Sequence, residues 1–111
     1  MNANELCDMV KSELESHGFI LNHFGSHHYS SDYTKWEKGG RDIVIFPTQR
    51  HNGTEENVTV TIEINELRCV YGEGCASGKR IFSTRVPKNA SNKVIQNRVL
   101  KTIAAFKELP N

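Results

Sequence analysis

Four branched apolar residues at every second position, Val58, Val60, Ile62 and Ile64, alternate with Thr59, Thr61, Glu63 and Asn65. Successive side chains of a strand point to opposite faces, so this run fits a strand in a sheet with one packed face and one wet face. Such a face needs an apolar layer against it, and two segments supply one. Residues 4–17 place Leu6, Met9, Val10 and Leu14 at helical spacing, with Glu5 and Asp8 at the acidic start and Gly18 where a C′ residue belongs. After Pro87, Ser91 reads as an N-cap, and Ile95, Val99, Ile103 and Phe106 follow at steps of four, four and three. Arg98 and Lys101 fall on the opposite side of that helix and give it a basic outer face.

The segments between are strands and turns. Phe19-Ile20-Leu21 opens an apolar run that passes Gly25 into 28–36, read as two short strand segments joined at Gly25. Lys38-Gly39-Gly40-Arg41 has the paired glycines of a hairpin turn. Asp42–Phe46 is a strand that ends at Pro47, residues 49–56 form an exposed loop, and Leu67 to Tyr71 continues the alternating strand past a bend. Gly72–Gly78 is a Gly-rich hairpin loop. It lacks the Gly-Lys-Ser/Thr ending of a phosphate loop, because Gly78-Lys79-Arg80 runs into the strand-like Ile81–Val86. The expected fold class is α+β: a helix, three or four antiparallel strands and a helix, with both helices on one face of the sheet, in a single domain over 1–111.

Whole function classes drop out on composition. The longest apolar stretches, such as Ile43-Val44-Ile45-Phe46, are far short of the roughly 20 residues a membrane helix needs. Met1–Leu6 has neither a basic nor an apolar signal region, which predicts a cytoplasmic protein. Cys7, Cys69 and Cys75 are an odd count and are expected as reduced thiols. Cys69 and Cys75 are poorly spaced for structural zinc, so neither metal nor cofactor is expected. Sequons at Asn52, Asn57 and Asn89 are read as turn and cap residues. The net charge of +1 hides an asymmetry: residues 1–66 hold five Lys/Arg against eleven Asp/Glu, and 67–111 hold nine against two. Opposite-signed halves point to an electrostatic partner, either nucleic acid or a complementary protein, and equally suit a solvated helix face.

His23, His27 and His28 lie within six residues, and histidine is the side chain that trades protons near neutrality. His27 and His28 would point to opposite faces of a strand, so at most one is a catalytic candidate. Tyr29, Tyr33 and Trp36 could stack on bases if exposed, and a packed Trp is the ordinary alternative.

Gly18-Phe19-Ile20-Leu21, a short gap, then Gly25-Ser26-His27-His28-Tyr29, all following an amphipathic helix, resembles the signature of the HicA family of mRNA interferase toxins. The resemblance covers roughly residues 5–47. It implies a double-stranded-RNA-binding-like fold, elaborated here by at least one strand in 48–86. It also implies His27 as the catalytic histidine of a metal-independent endoribonuclease and a HicB-type antitoxin as protein partner. The family's basic turn would correspond to Lys38-Gly39-Gly40-Arg41. On that reading Lys38, Arg41 or a cation of the basic half, Arg98 or Lys101, would bind RNA and stabilise phosphorane charge. The competing reading is a non-enzymatic inhibitor, encoded by a phage or mobile element, that docks its charged surfaces on a host protein or nucleoprotein complex.

Overall fold

A computed structural model describes residues 3–25, 27–30, 41–48, 59–70 and 74–108. In chain order the elements are α1 (Ala3–Ser16), β1 (Asn22–Gly25), β2 (His28–Ser30), β3 (Arg41–Thr48), β4 (Thr59–Val70), β5 (Gly74–Val86) and α2 (Asn92–Glu108). The fold is α+β. Among the described residues its sheet has five strands rather than three or four, in the order β1-β2-β3-β4-β5, and every neighbouring pair is antiparallel.

The expected alternation sets the register. Ile43↔Ile64, Ile45↔Ile62, Tyr29↔Ile45 and Val60↔Val86 pair across the strands, so these residues share one face. All are buried there in one core with Leu6, Cys7, Val10 and Leu14 of α1 and Ile95, Val99 and Ile103 of α2. Full burial of each Ile or Leu contributes about 1.5–3 kcal/mol. The second face is polar but not wet throughout. Ser30, Asp42, Thr61 and Asn65 are buried on it, Ser30 Oγ donates to Asp42 Oδ2 at 2.5 Å, and Thr48 and Thr61 share a hydroxyl hydrogen bond.

Helix ends follow their chemistry. Gly18 takes φ +92°, Phe19 N–H donates to Leu14 C=O at 3.3 Å and Gly18 N–H to Glu15 C=O at 3.0 Å, the paired bonds of a Schellman stop. Ser91 Oγ accepts from Val94 N–H at the start of α2. Asn89 sits at φ 59° in the turn that Ala90 N–H closes onto Pro87 C=O, which agrees with its reading as a turn residue.

Two boundaries differ from expectation. Pro47 does not end β3 but pairs with Val60 inside it. Among the described residues β2 meets β3 at Val44 and Ile45, and Pro47 keeps its place in the β3–β4 ladder opposite Val60 near the end of β3, a strand position where proline is tolerated. Gly74–Gly78, read as loop, belongs to β5, where the register runs Leu67↔Ser77, Cys69↔Cys75 and Val70↔Gly74 past a bulge near Asn65. The long β4 ladder holds these glycines against their weak strand propensity. The strand expected over 31–36, the 49–56 loop and the Lys38-Gly39-Gly40 turn lie outside the described residues.

Candidate functional site

The site is built at the β1–β2 hairpin. The register slips between His23 and Gly25, and His27 occupies the turn at φ 54°, in the left-handed region. A non-glycine residue there is held against a steric penalty, a pattern that clusters at functional positions. The turn carries the His27 ring towards α1, where Nδ1 lies 3.5 Å from Oδ1 of Asp8. The His27 side chain is 34% exposed and that of Asp8 53%, so the pair is reachable from solvent.

Tyr29 reaches the same carboxylate from below. Its pairing with Ile45 turns the ring into the helix-facing core, where the residue is 3% exposed, and a buried phenol needs a partner for its O–H. That hydroxyl donates to Asp8 Oδ1 at 2.5 Å. His23, paired with Tyr29 on β1, sets its ring edge-on to the phenol with centroids 4.6 Å apart. Lys11, one helical turn beyond Asp8, holds Nζ 5.3 Å from the Tyr29 ring centroid and forms an ion pair with Glu15 at 2.9 Å.

Burial first, and then the hydrogen bond to Asp8, push the Tyr29 phenol up to about 12, so it stays a donor across the neutral range. Burial, and then the Asp8 charge, push the Cys7 thiol up to about 12 as well. Cys7 is therefore an inert core thiol and no nucleophile. The arrangement can transfer protons: a partly exposed imidazole faces a carboxylate through one nitrogen, and the same carboxylate oxygen is fixed by a phenol.

The remaining sequence candidates lie elsewhere. Arg41 begins β3 and pairs with Glu66, four residues along the strand from the Tyr29 partner Ile45, or about 13 Å at the usual rise. Arg98 is half-buried and its Nε donates to the Arg85 main-chain carbonyl at 3.2 Å. Lys101 is exposed on α2, which packs on β4 and β5. Three strand spacings, about 14 Å, separate β2 from β5. Lys38 lies outside the described residues, as do Tyr33 and Trp36. His28 points to the other sheet face, 6.3 Å from the Phe46 ring centroid. Tyr29 is packed rather than open for base stacking.

Asp8 and Lys11 did not stand out in the sequence as parts of a site, and Tyr29 stood out as a stacking candidate rather than as a carboxylate partner. Asp8 read as a helix-dipole residue, and its partner stands 19 residues away. A solvent-facing acidic residue on α1 opposite a Gly-x-His turn is the only signal, and it is faint. Among the described residues no group of three or more His, Cys, Asp or Glu side chains is placed to hold a metal ion, and no helix is long and apolar enough to cross a membrane. No family model, no curated protein and no solved structure matches the chain.

Proposed function

We propose that the protein is an RNA-directed endoribonuclease of the HicA type, working in the cytoplasm on a double-stranded-RNA-binding-like scaffold. On this scaffold both helices cover one sheet face and the β4–β5 hairpin is the elaboration. The supporting observation is the His27–Asp8 contact: a strained, partly exposed histidine at the tip of the hairpin that carries the Gly25-Ser26-His27 motif, facing a carboxylate. In the reaction a ribose 2′-oxygen attacks the adjacent phosphorus and the P–O5′ bond breaks. His27 takes the 2′-hydroxyl proton or gives one to the leaving oxygen, a role worth about 10²–10⁴-fold. Among the described residues Lys11, itself paired with Glu15, is the cation in contact with this cluster and suits charge stabilisation better than Arg41. Lys101 and the exposed cations of α2 would hold phosphates farther along the duplex. A HicB-type antitoxin is the protein partner this reading implies.

The test is incubation of the protein with a mixed single-stranded and structured RNA pool in EDTA, beside His27→Ala. Cleavage by wild type alone supports the proposal. Cleavage by neither folded protein, free of antitoxin, overturns it.

A second reading, a non-enzymatic docking protein, is favoured by one observation. The solvent side of α1 carries Glu5, Asp8, Glu13 and Glu15 with Lys11 as its one cation, and Asp8 and Glu13 line an open hollow there with Met9 and Ser12. Such a surface attracts a basic partner and repels RNA phosphates. In that case His27→Ala leaves partner affinity unchanged, whereas charge reversal at Glu13 lowers it.

A further inference from the structure

We propose that Asp8 is a positioning residue that holds His27 as its Nδ1–H tautomer, leaving the Nε2 lone pair for proton transfer, and that the Tyr29 hydroxyl locks the carboxylate in place. The effect on cleavage rests on the function proposed above; the tautomer does not.

The argument is geometric. Asp8 Oδ1 is shared between Tyr29 Oη at 2.5 Å and His27 Nδ1 at 3.5 Å. A carboxylate is an acceptor only, so the imidazole atom facing it must carry the proton, and a neutral imidazole then has its lone pair on the other nitrogen. The Tyr29 ring is fixed by the core and by the His23 edge contact, so its hydroxyl cannot follow a swinging carboxylate. Asp8 itself stands on the second turn of α1, flanked by buried Leu6, Cys7 and Val10, which tie its backbone to the core. The long 3.5 Å contact is of the kind that tightens when substrate closes over a site. The other ionisable groups at this cluster are Cys7, Lys11 and Glu15 on α1 and His23 on β1. Lys11 is engaged with Glu15, which leaves Asp8 as the anion in contact with His27.

The experiment is nitrogen–proton correlation NMR of the imidazoles at about pH 8.5, where an ordinary histidine is neutral, on the intact protein without RNA. It is run on wild type, Asp8→Ala and Tyr29→Phe, with amide spectra confirming the fold of each. The expected result is His27 protonated at Nδ1 in wild type and at Nε2 in Asp8→Ala, the form a free imidazole prefers, with Tyr29→Phe giving a mixture. Cleavage by Asp8→Ala should fall by about 10- to 100-fold, in kcat rather than KM. Wild-type His27 protonated at Nε2, or a tautomer indifferent to Asp8, overturns the proposal whatever the RNA assay shows. The expected tautomer shift in a protein that cleaves no RNA upholds the positioning role and overturns the proposed function.

Discussion

Arg98 Nε donates to the main-chain carbonyl of Arg85 at 3.2 Å, which ties the middle of α2 to β5, one of the two outer strands of the described sheet. One residue of the basic helix face thus serves the fold, fastening α2 to the main chain of β5. Its neighbour Lys101 is exposed and has no such task.

The two cations should therefore separate in experiment. Arg98→Ala is expected to lower unfolding free energy by about 1 kcal/mol, the usual worth of such a hydrogen bond, in urea titration. Lys101→Ala should stay within about 0.5 kcal/mol of wild type. If α2 binds RNA, Lys101→Ala should still weaken binding and reduce the slope of log affinity against log salt by about one. A Lys101 variant that binds RNA as wild type does at both low and high salt removes α2 from the interface.

Alkaline pH should destabilise the protein through Cys7 and Tyr29. Both acids are raised in the fold, Cys7 from 9.0 and Tyr29 from 10.0, each to about 12. Above pH 9 the unfolded thiol has lost its proton while the folded one keeps it, so the unfolded state binds fewer protons and stability falls as pH rises. The loss approaches about 1.4 kcal/mol per pH unit for each group, through the interval between its two values. Melting temperatures from pH 8 to about pH 11 should fall accordingly, and Cys7→Ala should flatten the pH 9–10 part of the curve, before Tyr29 contributes.

Gly18→Ala tests the α1 stop. Open space surrounds the position a Cβ would take, so the cost is not a clash but the backbone itself at φ +92°. A loss of about 1 kcal/mol is expected, with the fold retained. A neutral outcome would mean that the stop does not depend on the left-handed residue.

Much of this fold is legible in the sequence because it rests on local periodicity. The β4 alternation gives the sheet its two faces, and the stripes Leu6–Leu14 and Ile95–Ile103 give both helices. Gly18 and Ser91 mark their ends. Where propensity and tertiary pairing conflict, pairing decides: Gly74–Gly78 joins β5 because the β4 ladder continues past Asn65, and Pro47 stays in β3 because the β3–β4 ladder continues through Pro47↔Val60 to Thr48↔Thr59. The site is less legible. His27 is visible as a motif residue, but Asp8 and Tyr29 become its neighbours only through the Tyr29↔Ile45 register and the seating of α1 over it, and neither relation leaves a periodic trace.

The backbone of His27 offers the sharpest separation of function from stability. At φ 54° a histidine bears a steric cost of about 1 kcal/mol that glycine does not. His27→Ala keeps that cost and removes the ring, whereas His27→Gly removes both. His27→Gly is therefore expected to be more stable than His27→Ala by roughly 0.5–1 kcal/mol, the gain being partly offset by the entropy glycine loses on folding. If the protein cleaves RNA as proposed, neither variant should do so. A hairpin tip where glycine improves the fold and abolishes the activity would show that the histidine is kept for its imidazole. Equal stabilities of the two variants in chemical denaturation would instead mean that the turn relaxes out of the left-handed region once the contact between His27 and Asp8 is gone.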